Sequence, residues 1–138
     1  MPTLSLMASA MDALACAYDR TLPLETCGFL LGLVTREHSV VTEVAIARDS
    51  PGYQDAFEIP EHELRRVGAY AKERGLQIVA LFHSHPSGND SLSLADLAAL
   101  RYSAWPWVIV TRPNRVSAVA VAGYAPGEAT RIGVQIIA

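Results

Sequence analysis

His83-Ser84-His85-Pro86, followed after six intervening residues by Ser93-Leu94-Ala95-Asp96, collects the residue types that hold metal ions. Residues two apart on an extended chain project to the same side. His83 and His85, at the end of a strand, can therefore aim two imidazoles at one point. Pro86 ends the strand because it has no backbone N–H to donate. Ser87-Gly88-Asn89-Asp90 is turn-forming and can bring the chain back toward that point. Asp96, in the first turn of a following helix, then supplies a carboxylate.

Two histidines and one carboxylate make a three-ligand set, and a tetrahedral zinc ion bound by it keeps a fourth position open for water. The open position distinguishes a catalytic site from a structural one. With two neutral imidazoles and one carboxylate the site keeps a net positive charge, so it can lower the pKa of bound water to ~7 and polarise a carbonyl. Ser93-x-x-Asp96 also fits a capping box, which requires no metal. The two roles are compatible, because capping fixes where Asp96 points. His38 and His62 lack such companions and read as surface or hydrogen-bonded core residues.

The flanking elements follow from periodicity. Met7, Met11, Leu14 and Tyr18 recur on one face of a helix that ends near Arg20 and Pro23. Cys27 to Val34 is short, continuous and apolar, which predicts a buried strand. Val40 to Ala47 is rich in β-branched residues and predicts another. Asp49 to Asp55 reads as a loop. A second helix starts at Pro60, with Glu61 and Glu63 near its positive end, Lys72 and Arg74 near its negative end, and Gly75 as its stop. Leu76 to Phe82 predicts the strand that leads into the histidines. A third helix spans Ser93 to about Arg101. Trp107 to Thr111, Val116 to Ala122 and Ile132 to Ile137 predict three last strands, with turns at Pro113-Asn114 and Pro126-Gly127. Strands interrupted by helices imply an α/β (α+β) domain, one mixed sheet packed by helices, over residues 1–138.

Bulk properties exclude several classes. With 51% hydrophobic and 18% charged residues the chain reads as globular rather than disordered. A net charge of −3 with scattered Lys and Arg argues against a nucleic-acid partner. Ala15-Cys16-Ala17 resembles a signal-peptidase site, but no Lys or Arg precedes Arg20 and Asp12 breaks the apolar stretch. No apolar run is long enough to cross a bilayer. A cytoplasmic location without membrane attachment is expected. Cys16 and Cys27 are too few for a disulfide framework and read as buried, inert thiols. Tyr102, Trp105 and Trp107 read as core aromatics.

The pattern His83-x-His85, seven residues, then Ser93-x-x-Asp96 resembles the signature of the JAMM (JAB1/MPN/Mov34) metalloprotease superfamily. Pro23 to Gly32 is similar to the family's glutamate-bearing strand entry, and the order of strands agrees along nearly the whole chain. Leu92 departs from the pattern, where a proline often precedes the serine. The resemblance implies a cytidine-deaminase-like fold, a curved mixed sheet flanked by helices. It implies one zinc ion held by His83, His85 and Asp96. Glu25 would be the general base and Ser93 the hydrogen-bond donor to the tetrahedral oxyanion. Spacing by itself does not bring Glu25 to the metal, and Glu58, Glu61 or Glu63 could serve.

The resemblance also implies a substrate class: many characterised relatives cut after the C-terminal Gly-Gly of ubiquitin or ubiquitin-like β-grasp proteins, and compact microbial ones look like hydrolases that release cysteine, or another amine, from a sulfur-carrier protein. Few residues follow Asp96, which favours the compact type. The resemblance also makes a homodimer an expectation. Three other readings compete: a non-catalytic binding or dimerisation module with a vestigial zinc site, a cysteine enzyme using Cys27, and a nucleobase deaminase. The second lacks a cationic neighbour in sequence to activate the thiol. The third lacks the Cys-x-x-Cys ligand pair.

Overall fold

The computed structural model describes residues 3–21, 26–35, 38–47, 61–85, 105–112, 115–121 and 129–138, with backbone alone for 21, 115–121 and 129–131. Seven strands and two helices occur in these stretches, in the order β1 (Thr3–Met7), α1 (Ala8–Thr21), β2 (Cys27–Val34), β3 (His38–Ile46), α2 (Glu61–Glu73), β4 (Gln77–Ser84), β5 (Trp107–Arg112), β6 (Arg115–Val121) and β7 (Ala129–Ile137). The strands run β1-β3-β2-β4-β5-β6-β7 and close into a barrel. β1 is parallel to both β3 and β7, and β4 is parallel to β5. The remaining pairs are antiparallel. This is the expected α+β architecture with a curled mixed sheet. The expected loop at 49–55, the helix at 93–101 and the turns at 113–114 and 126–127 lie outside the described residues.

Alternation along the strands builds two cores. Leu4, Leu6, Leu30, Val41, Ala80, Phe82, Val108 and Val110 come from five strands and meet on one side of the sheet. Helix α1 adds Ala10, Met11, Leu14 and Tyr18, spaced as one helical stripe, while Asp12, Cys16, Asp19 and Arg20 stay exposed. The Tyr18 hydroxyl donates to the Thr111 carbonyl at 3.1 Å, which satisfies its polar tip. On the other side of the sheet, Phe29, Leu31, Leu81, Trp107 and Ile109 pack with Val67 and Ala71 of α2. The cysteines differ from expectation. Cys16 is exposed because it falls on the outer face of α1, and Cys27 is only partly buried at the start of β2.

Strand β1 is the element missing from the sequence reading, and Met7 is its last residue rather than the start of the helical stripe. Thr3 to Met7 has only two inward positions, Leu4 and Leu6, too few to separate a strand from a helix by period. Its partners lie far along the chain. Helix α2 ends as expected. Gly75 takes φ +71°, its N–H reaches the Lys72 carbonyl at 3.1 Å, and the Leu76 N–H reaches the Ala71 carbonyl at 2.8 Å. These two bonds make a Schellman cap that only glycine enters without strain. Arg74 then donates to Glu43 of β3 at 2.7 Å, and this bond and charge, with Tyr70 nearby, raise the guanidinium pKa further.

The glycines supply a stability test. A Cβ at Gly32 would overlap the Val40 carbonyl, so β2 and β3 could not keep their spacing. Nothing lies within 4 Å of a Cβ placed at Gly68 in α2. Gly32→Ala is therefore expected to destabilise by about 1–3 kcal/mol. Gly68→Ala should stabilise by about 0.5–1 kcal/mol through helix propensity. Denaturant midpoints at constant m check both, and equal shifts in the two variants would contradict the packing described.

Candidate metal centre

β4 delivers the two histidines. It follows α2 through the tight Gly75 turn, and its central residues Val79 to Ser84 are all buried. A bulge at Val79 offsets the pairing, with Leu30 opposite Ala80 but Leu31 opposite Ile78. Beyond it the strand alternates regularly. Ala80 and Phe82 face the α1 side, and Leu81 faces the α2 side. His83 shares the face of Leu81. It is 4% exposed, whereas His85, just past the strand end, is half-buried.

The two imidazoles lie side by side, ring centroids 4.7 Å apart and planes 22° from parallel. The two rings thus lie on the same side of the chain, as residues two apart on an extended strand do. Trp107 stands edge-on to His83 at 5.2 Å and 75°, and the register sets His83 beside Ile109. The expectation that Trp107 is a core aromatic holds, and Trp105 packs against the same cluster. Tyr102 lies outside the described residues. On the backbone, the His85 N–H donates to the Val110 carbonyl at 2.8 Å, which ties the end of β4 to β5.

On its other side β4 is tied to β2. Cys27 lies directly across from His83. One step further, the Ser84 N–H donates to the Thr26 carbonyl at 2.9 Å, and the Thr26 N–H donates to Ser84 Oγ at 2.8 Å. Thr26 and Ser84 are both buried. Sequence reading missed this pairing of the 26–27 segment with the histidine pair, and with it the histidine neighbour of Cys27. Separation along the chain hides both.

Of the five site residues expected from sequence, His83 and His85 are described, and Glu25, Ser93 and Asp96 lie outside the described residues. Among the described residues no group of three His, Cys, Asp or Glu side chains is arranged to hold a metal ion, so Cys27 does not complete such a set with the two histidines. The adjacent imidazoles on one side of the chain nonetheless fit as part of a zinc site, since imidazole is a favoured zinc donor and needs a further ligand beside it. The other candidates have separate partners. His38 Nε2 is hydrogen-bonded with Ser5 Oγ at 2.7 Å, as expected of a satisfied histidine, and His62 is exposed. Glu61 pairs with Arg65 at 2.7 Å on the surface of α2. Glu63, 2% exposed, pairs with Arg66 at 2.6 Å. Glu58 lies outside the described residues.

Residues 7–122 match the family of prokaryotic homologs of the JAB domain. The chain belongs to that family. This JAB domain is 30% identical over 96 residues to a desampylase of Pyrococcus furiosus, a match that covers 68% of the chain and 64% of the desampylase. The matched part is thus just under two thirds of that relative's length. Two solved structures share the fold of the JAB domain. A solution structure of a protein from Desulfitobacterium hafniense superimposes with a TM-score of 0.84 at 17% identity, covering 98% of this chain and 93% of that one. A solution structure of a protein from Salinibacter ruber has a TM-score of 0.70 at 26% identity, covering 96% and 91%. Among the described residues no helix of the JAB domain is long and apolar enough to cross a membrane.

Proposed function

We propose that the chain is a zinc-dependent isopeptidase of the JAMM type. It hydrolyses the amide bond after the C-terminal Gly-Gly of a ubiquitin-like or sulfur-carrier β-grasp protein. One observation carries this reading: in a JAB-family chain, His83 and His85 stand together on one side at the buried end of β4. The desampylase relative agrees with the substrate class. A flexible Gly-Gly tail suits a narrow site because it can lie extended along a strand edge. The setting in this reading is the cytoplasm, and a homodimer is compatible with it.

His83, His85 and Asp96 would hold the ion. When bound, zinc supplies Lewis acidity that makes water acidic near neutral pH and polarises the scissile carbonyl. Packing of His83 against Trp107 holds its ring in place. Glu25 takes a proton from the attacking water at its carboxylate and hands it to the leaving nitrogen. Its adjacency in sequence to the segment paired with the end of β4 supports Glu25 in this role. Cys27 lies opposite His83 and Thr26 is bonded to Ser84, and Glu25 is the next residue along the chain. The arginine pairs of Glu61 and Glu63 count against either as the base. The Ser93 hydroxyl donates a hydrogen bond to the carbonyl oxygen as negative charge builds there.

The partial burial of Cys27 opposite His83 favours one competing reading, a thiol hydrolase, and a single assay separates the candidates. Purified protein is expected to carry about one zinc per chain and to cleave a Gly-Gly-linked reporter. Chelation should abolish cleavage, added zinc should restore it, and thiol alkylation should leave it intact. Zinc binding without cleavage across a panel of β-grasp conjugates would turn the assignment to a binding module. Cleavage that resists chelation but yields to alkylation would turn it to Cys27.

A further inference from the structure

Ser84 stands between the two histidines in sequence but points away from them. Strand alternation puts its side chain on the opposite face, where it is fully buried. It is too far round the strand to join the imidazoles. Its hydroxyl has another use. Ser84 Oγ accepts the Thr26 N–H at 2.8 Å, while the Ser84 N–H donates to the Thr26 carbonyl at 2.9 Å. One residue of β4 thus holds both backbone polar groups of Thr26, one through its main chain and one through its side chain. Thr26 is the residue covalently joined to Glu25, and consecutive Cα atoms are only ~3.8 Å apart.

We infer that Ser84 is a positioning residue for catalysis: its hydroxyl pins the backbone at Thr26 and so sets where the Glu25 carboxylate stands relative to the His83–His85 pair. The inference rests on the proposed hydrolytic function. It assigns the middle residue of His83-Ser84-His85 a part in aligning the base, separate from metal binding. The same strand end then serves two purposes, with its odd positions presenting the imidazoles and its even position anchoring the segment that carries the base. A general base works only within hydrogen-bond reach of the proton it removes, so a slack anchor slows chemistry without weakening substrate binding.

The test compares Ser84→Ala with Ser84→Thr in the zinc-loaded full chain, alone and combined with Glu25→Gln. Ser84→Ala is expected to lower kcat by ~10–100-fold, with KM and zinc stoichiometry little changed. Ser84→Thr keeps an oxygen at the same position and should restore most of the rate. In the Glu25→Gln background Ser84→Ala should cost almost nothing more, because the two act through one group. The Thr26 amide should exchange hydrogen faster in Ser84→Ala than in wild type, a readout independent of activity. Wild-type kcat in Ser84→Ala would overturn the inference, as would loss of zinc, a full additional loss in the Glu25→Gln background, or failure of Ser84→Thr to rescue. If Ser84→Ala does not fold, the Ser84→Thr rate and its Thr26 exchange decide the matter alone. An inactive wild-type protein would instead sink the hydrolytic reading itself.

Discussion

His85→Ala is expected to lose zinc and hydrolysis together while the fold survives. Changing a group that merely orients a metal ligand typically costs ~10–100-fold in affinity or activity. Removing a ligand itself should exceed the upper end of that range. His85 is the better of the two histidines to test. It is half-buried and lies beyond the last residue of β4, so its truncation leaves little unfilled space. His83 is 4% exposed and packs against Trp107, so His83→Ala should also open a cavity and lower the unfolding midpoint. Metal content after gel filtration, reporter cleavage and a denaturant curve on both variants separate the two effects. Full zinc occupancy and normal turnover in His85→Ala would remove the histidine pair from the mechanism.

Glu25→Gln should behave in the opposite way, keeping zinc while turnover collapses. The substitution preserves size and hydrogen-bonding atoms but leaves a group that cannot accept a proton at neutral pH. General-base catalysis contributes typically ~10²–10⁴-fold, and kcat should fall by that amount with KM nearly unchanged. The two glutamates of α2 make natural controls. Glu61→Gln breaks an exposed pair with Arg65, worth only about 0.2–0.5 kcal/mol at this helix spacing. Glu63→Gln disturbs the buried partner of Arg66, so its effect belongs in stability rather than in turnover. A collapse of turnover in Glu63→Gln with near-normal turnover in Glu25→Gln would move the role of base onto α2.

The His83–His85 geometry could be read in advance because it depends on one strand only, where alternation puts residues two apart on one side whatever the strand packs against. The end of α2 could be read for a similar reason, since the Gly75 cap uses bonds to residues within a single turn. Cys16 was misread because its apolar neighbours in sequence say nothing of its angle on α1. The inward stripe of Leu14, Ala17 and Tyr18 turns Cys16 to solvent.

Local chemistry is legible along the chain: which side chains share a face, where elements stop, and which donor types recur two residues apart. Which elements face each other depends on long-range packing. It paired Thr3–Met7 with strands from both the early and the final part of the chain, closing the barrel. It set Cys27 across from His83 and bound Thr26 to Ser84. Periodicity carries no label for the partner strand or its register, and a shift of one residue would turn every side chain to the other face. Only the simultaneous burial of both faces of the sheet, against α1 on one side and α2 on the other, selects the pairing that brings these distant residues together.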